Sequence, residues 1–222
     1  HVPHTIEVGR FAEPNEELEA KALAWRRELG IPDDNFVFLY AAKLEPRKRP
    51  DRLLESFAKA DIPNTTLLFV GSGALETELR SQVAGGEWLV KGNGVFERGT
   101  QRVVFVPFQN QSAMPLVYRF GDVLVLPSGY GETWGLAVNE AQACGRPALV
   151  SDCVGCARDI IREGENGAVF RTDDWDDCIR AMQRIANGEW RSKRDVIRAG
   201  AWKFDAARGV DALLAGLAKF GY

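Results

Sequence analysis

Short continuous apolar runs alternate with amphipathic ones along this chain. FVFLYAA (36–42) precedes PDRLLESFAKA, and TTLLFV (65–70) precedes GALETELRSQV. RVVFV (102–106) is followed by MPLVYRF, and DVLVLP (122–127) by GLAVNEAQACG. PALV (147–150) leads to a short polar helix, and GAVF (167–170) to DDWDDCIRAMQRIA. Runs that are apolar at every position fit strands buried on both faces, and the amphipathic runs fit helices that cover them. The pattern predicts an α/β fold, a doubly wound parallel sheet of about six strands. PNEELEAKALAWRRELG (14–30) reads as a further helix, stopped by Gly30. Residues 85–101 carry five glycines and no clear period, so they read as a surface loop with room for a small hairpin. From about residue 190 onward the chain reads as one or two amphipathic C-terminal helices. We expect residues 1–222 to form a single Rossmann-like domain.

Composition narrows the function classes. The 222 residues are 45% hydrophobic and 27% charged, an ordinary globular balance. A net charge of −3 argues against nucleic acid as a partner. No run approaches the ~18 apolar residues of a membrane span, and no signal peptide opens the chain. Cys153 and Cys156 form a C-x-x-C pair, but no second pair exists and both histidines, His1 and His4, lie at the N-terminus. The four cysteines therefore read as incidental thiols rather than as metal ligands. The same shortage of histidine rules out a Ser-His-Asp triad in the body of the chain.

Ligands of open α/β sheets bind beyond the carboxyl ends of the strands. Those ends lead into KLEPRKR (43–49), Gly71-Ser72-Gly73, PFQNQ (107–111), SGYGETWG (128–135) and SDCVGC (151–156). One sheet edge should thus gather a basic cluster, glycine turns and two carboxylates, Glu132 and Glu140. Each piece alone has a bland reading, since charged loops are usually solvated and a bare G-x-G is a weak signal. Together they are coherent. Gly135 and Leu136 open a helix whose free N–H groups attract a phosphate. Lys43 and Lys48 add cationic charge, and the carboxylates suit sugar or ribose hydroxyls. Phosphate, cations and hydroxyl acceptors point to a nucleotide sugar.

The stretch Pro127-Ser128, Glu132, Trp134-Gly135-Leu136, Glu140-Ala141, Cys144-Gly145 resembles the donor-binding domain of retaining glycosyltransferases of family 4. VPHTIEVGRF, AKLEPRKRPDRLLESF, LLFVGSGALETELR, YRFGDVLVLPS, ALVSDCVGCARDII and GENGAVF fit the same family in order, over roughly residues 2 to 188. The resemblance implies one half of a GT-B enzyme, with the N-terminal acceptor domain absent and acting as a partner. It implies transfer of a hexosyl group from a UDP- or GDP-linked sugar, in polysaccharide or lipopolysaccharide biosynthesis. It assigns Lys43 and Lys48 to the donor diphosphate and Glu132 to the donor sugar, the three groups at the reacting end. Trp134, Gly135 and Leu136 would meet sugar and distal phosphate through their backbone, and Glu140 the ribose. Gly71 and Gly73 would let the backbone approach the nucleotide, and Phe108 and Gln109 would lie against the base. It implies no metal and no cofactor. It also implies a cytoplasmic enzyme with peripheral membrane contact in full-length relatives, and self-association of this chain through C-terminal apolar residues such as Trp202, Phe204 and Phe220. Several positions depart from the family pattern: Lys43 stands for arginine, Arg49 for glycine, Trp134 for phenylalanine, Cys156 for the second glycine of a pair and Asp159 for glutamate. The alternatives are a nucleotide-sugar epimerase, a phosphorylase, and a non-catalytic nucleotide-binding module.

Overall fold

The computed structural model describes residues 3–13, 16–188 and 190–219. Its centre is one eight-stranded sheet. Six strands are parallel: β1 (Phe36–Ala41), β2 (Thr65–Val70), β5 (Gln101–Val106), β6 (Val123–Leu126), β7 (Ala148–Ser151) and β8 (Gly167–Phe170). They lie in the order β5-β2-β1-β6-β7-β8, the doubly wound arrangement. The remaining two, β3 (Leu89–Gly92) and β4 (Val95–Arg98), form an antiparallel hairpin that adds to β5 at the edge. The sheet therefore exceeds the expected six by the hairpin folded from residues 85–101. Every residue of β3 is exposed, so this strand carries no burial signal in the sequence.

Strand side chains alternate between two cores. Val37, Leu39, Leu68, Val70, Leu124 and Leu126 face one core. That face is covered by α1 (Gly9–Ala12), α2 (Glu16–Glu28), α5 (Met114–Phe120), α6 (Leu136–Ala143) and α7 (Ala157–Ile160). Phe38, Tyr40, Leu67, Phe69, Val123 and Val125 face the other core. That face is covered by α3 (Pro50–Ala60), α4 (Glu76–Ala84) and α8 (Trp175–Ala186). Burial on both faces explains runs without polar alternation, each large side chain contributing about 1.5–3 kcal/mol.

The chain leaves β1 toward α3 on one face and leaves β6 toward α6 on the other. These neighbouring strands are thus the topological switch point, where a crevice opens at their carboxyl ends. After α8 come α9 (Arg194–Ala201) and α10 (Ala206–Ala218). The two chain ends run together: Ile6 and Asp205 form a β-bridge, and Asp205 accepts the Val8 amide at 3.1 Å.

Candidate functional site

The β1–α3 loop carries the cations. Pro46 starts a single 3-10 turn, Pro46–Lys48, and Arg49 ends it in the left-handed region at φ 55°. The turn points the two lysines differently. The Lys43 side chain is 74% exposed, with its ammonium 3.8 Å from Glu45. The Lys48 side chain is only 14% exposed and pairs with Glu132, itself 11% exposed. The phenol of Tyr40 donates to the Lys43 carbonyl at 2.8 Å, and burial raises its pKa well above the ordinary tyrosine value.

The β6–α6 loop carries Glu132 and the helix terminus. Glu132 accepts the Lys48 ammonium and the Ser128 hydroxyl, the latter at 3.0 Å, while Ser151 donates to the Ser128 carbonyl. The loop after β7 braces it from the other side. Gly155 N–H donates to the Glu132 carbonyl at 3.1 Å, and Cys156 N–H to the Trp134 carbonyl at 2.9 Å. A Cβ at Gly155 would lie 2.0 Å from the Thr133 carbonyl oxygen, so only glycine fits there. Gly135 adopts φ 93° and opens α6 with no side-chain cap. The first N–H groups of α6 thus keep their capacity for an anion. The Trp134 ring is buried, donates to Asn139 at 2.9 Å and stacks on His4 at 5.1 Å, which leaves its backbone as the part facing the loop.

Beside this lies a cleft of about 530 Å³ over the ends of β1, β2 and β5, lined among others by Ala42, Lys43, Gly71, Gly73, Phe108 and Gln109. Gly71 and Gly73 bring the β2 turn against the β1 loop, since a Cβ there would sit 2.2 Å from Ala42 O and 2.5 Å from Leu44 O. Phe108 is 67% exposed at the cleft, a free aromatic face. Glu140, in α6, accepts Gln111 at 2.9 Å and the Tyr118 hydroxyl at 2.6 Å. Burial first, then the Glu140 charge, pushes the Tyr118 phenol well above its usual value, so it stays a donor.

The structure brings Lys48, Glu132, Gly135 and Leu136 together at the switch point, and Lys43, Gly71, Gly73, Phe108 and Gln109 around the cleft. Glu140 joins the cleft through Gln111, which lines it. The sequence reading missed Tyr118, Gln111, Ser128 and Ser151. Gln111 and Ser128 stand in the loops that follow strands, a signal available in the sequence, whereas Ser151 is the last residue of β7 and Tyr118 reads as helix core. All four cysteines are free thiols. Burial pushes Cys144 to about 11 and Cys156 and Cys178 to about 12. Among the described residues, no group of three or more His, Cys, Asp or Glu could hold a metal ion, and no helix is long and apolar enough to cross a membrane.

Residues 22–203 match the family model described as glycosyl transferases group 1. The chain belongs to this family. It is 31% identical over 215 residues to a D-inositol 3-phosphate glycosyltransferase of Thermomonospora curvata, covering 93% of this chain and 47% of the relative. It is 33% identical over 199 residues to the enzyme of the same name from Mycolicibacterium vanbaalenii, covering 87% and 43%. This member of the glycosyl transferases group 1 family thus spans about half the length of the curated relatives it matches. Among solved structures, sucrose-phosphate synthase from Thermosynechococcus elongatus superposes with a TM-score of 0.73 at 26% identity, over 99% of this chain and 52% of that one. Anabaena Alr3699/HepE in complex with UDP superposes with a TM-score of 0.75 at 20% identity, over 97% and 56%. The fold is that of one Rossmann-like half of a GT-B glycosyltransferase.

Proposed function

We propose that this chain is the donor-binding part of a retaining glycosyltransferase, one that moves a hexosyl group from a UDP- or GDP-linked sugar to an acceptor in polysaccharide or lipopolysaccharide biosynthesis. The observation that carries the reading is the Lys48–Glu132 pair at the switch point, beside the uncapped start of α6. A cation and free helix N–H groups suit a diphosphate, and a carboxylate beside them suits hydroxyls. One solved protein of the same fold, Anabaena Alr3699/HepE, carries UDP in one structure and UDP-glucose in another.

The donor would lie across the crevice. Its base rests in the cleft against Phe108 and Gln109, where Gly71 and Gly73 allow close backbone approach. Glu140 takes the ribose hydroxyls. Its two oxygens already accept Gln111 and Tyr118, but a carboxylate has about four acceptor positions, so capacity remains and its direction is fixed. Lys48 and Lys43 meet the diphosphate with the α6 terminus, and they stabilise the charge that grows on it as the glycosidic bond breaks, without a metal. Glu132 and the backbone of Trp134, Gly135 and Leu136 hold the sugar. Retention at the anomeric carbon follows from the family resemblance. The acceptor comes from the portion of the enzyme beyond the half that this chain matches.

Titration calorimetry of the chain with UDP, GDP and ADP tests the proposal and identifies the base. One nucleoside diphosphate should bind saturably. Glu140→Ala should weaken it by about 1.5–3 kcal/mol, the loss of a charged hydrogen bond. Binding unchanged in the variant would remove Glu140 from the ribose, and no saturable binding of any of the three would sink the reading.

A further inference from the structure

Among the described residues, Tyr130 is the most exposed large hydrophobic side chain, at 80%. It stands at the tip of the β6–α6 loop, between Gly129 and Gly131 and two residues before Glu132. Its ring and its hydroxyl meet no partner among the described residues. The loop beneath it does not share that freedom. Gly129 N–H donates to the Arg47 carbonyl at 3.0 Å, and the Arg49 guanidinium packs over Gly129, where a Cβ would lie 3.2 Å from its Nε. Ser151 holds the Ser128 carbonyl, and Gly155 N–H holds that of Glu132 at 3.1 Å. Gly131 turns the chain at φ 94°, a conformation that glycine adopts without strain. Both ends of the turn are thus tied to neighbouring loops, and the ring between them projects into water. A braced tip has already lost most of the entropy that binding would cost a free one, and tyrosine has only two side-chain torsions left to order.

Position decides what the ring can meet. The crevice carries exposed aromatic rings at both ends, Phe108 by the base cleft and Tyr130 by Glu132. Two residues of chain span at most about 7 Å, so Tyr130 stays beside the carboxylate that holds the donor sugar. Phe108, Glu140, Lys48 and Glu132 already serve base, ribose, diphosphate and sugar. Tyr130 is left over at the end where the hexosyl group departs, and the receiving group must come within bonding distance there. The negative face of the phenol ring suits the polarised C–H bonds of a pyranose, and its hydroxyl suits sugar hydroxyls. The same face repels a phosphate or a carboxylate.

We propose that Tyr130 is an acceptor platform, on which a pyranose ring of a saccharide acceptor stacks next to Glu132. The inference rests on the crevice being a nucleotide-sugar site. The other half of the enzyme supplies the rest of the acceptor site, and Tyr130 is the contact made from the donor side.

NMR of the 222-residue chain with labelled tyrosine rings tests it. Methyl β-glucoside, methyl α-mannoside and methyl β-galactoside are titrated in separate arms, each without nucleotide, with UDP and with GDP. The Tyr130 ring signals, assigned by their loss in Tyr130→Ala, should shift saturably with at least one glycoside. Tyr130→Ala should weaken that glycoside about twofold to tenfold, read from the sugar's own C–H signals, as for one lost aromatic contact. Tyr130→Trp should retain it, and both variants should bind the nucleoside diphosphate within about twofold of the unaltered chain. A Tyr130 ring silent in every glycoside arm overturns the proposal. So does a ring that shifts with the nucleoside diphosphate alone while Tyr130→Ala loses nucleotide affinity, since the ring then belongs to the donor. Glycoside binding at Tyr130 without binding of either nucleotide would keep the platform and sink the donor reading. Nucleotide binding with a silent Tyr130 would do the reverse.

Discussion

Lys48 and Glu132 satisfy each other in this structure, although donor binding would ask them to separate, the lysine to phosphate and the glutamate to sugar. Both are mostly shielded from water, so the contact is stronger than an exposed pair. A nucleoside diphosphate without a sugar must compete with Glu132 for Lys48 and offers the glutamate nothing in return. Glu132→Gln should therefore tighten binding of the nucleoside diphosphate by about 1–2 kcal/mol, several-fold to tenfold or more, and loosen binding of the nucleotide sugar. Calorimetry with both ligands reads this directly. Weaker binding of the bare diphosphate would mean that Glu132 supports the phosphate site rather than competing for it. A second residue-scale prediction concerns the thiols. With Cys144 at about 11 and Cys156 and Cys178 at about 12, all buried, hardly any thiolate exists on them at pH 8. Native alkylation at that pH should label Cys153 alone, the one cysteine that is not fully buried, and denaturant should release the other three. Mass spectrometry showing rapid label on Cys156 would contradict the burial.

At the scale of elements, the loops position one another, and glycines decide how closely. The loop after β7 meets the loop after β6 through two backbone hydrogen bonds, at Glu132 and Trp134. Gly155→Ala would drive a methyl into the Thr133 carbonyl, costing about 1–3 kcal/mol of stability and shifting Glu132 with its loop. Thermal unfolding and nucleotide titration should both register it, and a neutral result would show that the loop yields without moving the site. Arg49 is the opposite case. It holds a left-handed conformation, and its guanidinium pairs with Asp173 at 3.1 Å, linking the β1 and β8 ends. Its φ of 55° gives a physical reason for the glycine expected there from the family pattern. The six parallel strands were legible because burial on both faces leaves unbroken apolar runs. The β3–β4 hairpin was not, because β3 is exposed along its whole length and its segment is rich in glycine. Lys48 and Glu132 were each legible as loop residues after a strand. Their direct contact was not, since it joins positions 84 apart and depends on the 3-10 turn at Pro46. Tyr118 escaped because a buried tyrosine in MPLVYRF has the same pattern as core, and only its hydroxyl reveals Glu140.

At the scale of the whole molecule, the two sheet edges have different characters. One gathers glycine turns, lysines and carboxylates around an open crevice, and the other buries arginines. The third feature is α10, which buries none of its residues. Val210, Leu213, Leu214 and Leu217 are all 43–58% exposed, at the spacing of one helical face. Trp202 is similarly exposed, whereas Phe204 packs partly into the core, and Phe220 lies outside the described residues. A continuous apolar stripe of this kind seeks cover. In the 222-residue chain alone, a second copy is the available cover, so sedimentation velocity should show association that grows with concentration. Leu213→Glu together with Leu214→Glu should return the chain to a monomer without lowering its melting temperature, because these side chains support no packing in the fold. A monomer at every concentration would show that the stripe is too small to drive pairing. A fall in melting temperature would show that α10 packs more tightly than its exposure indicates.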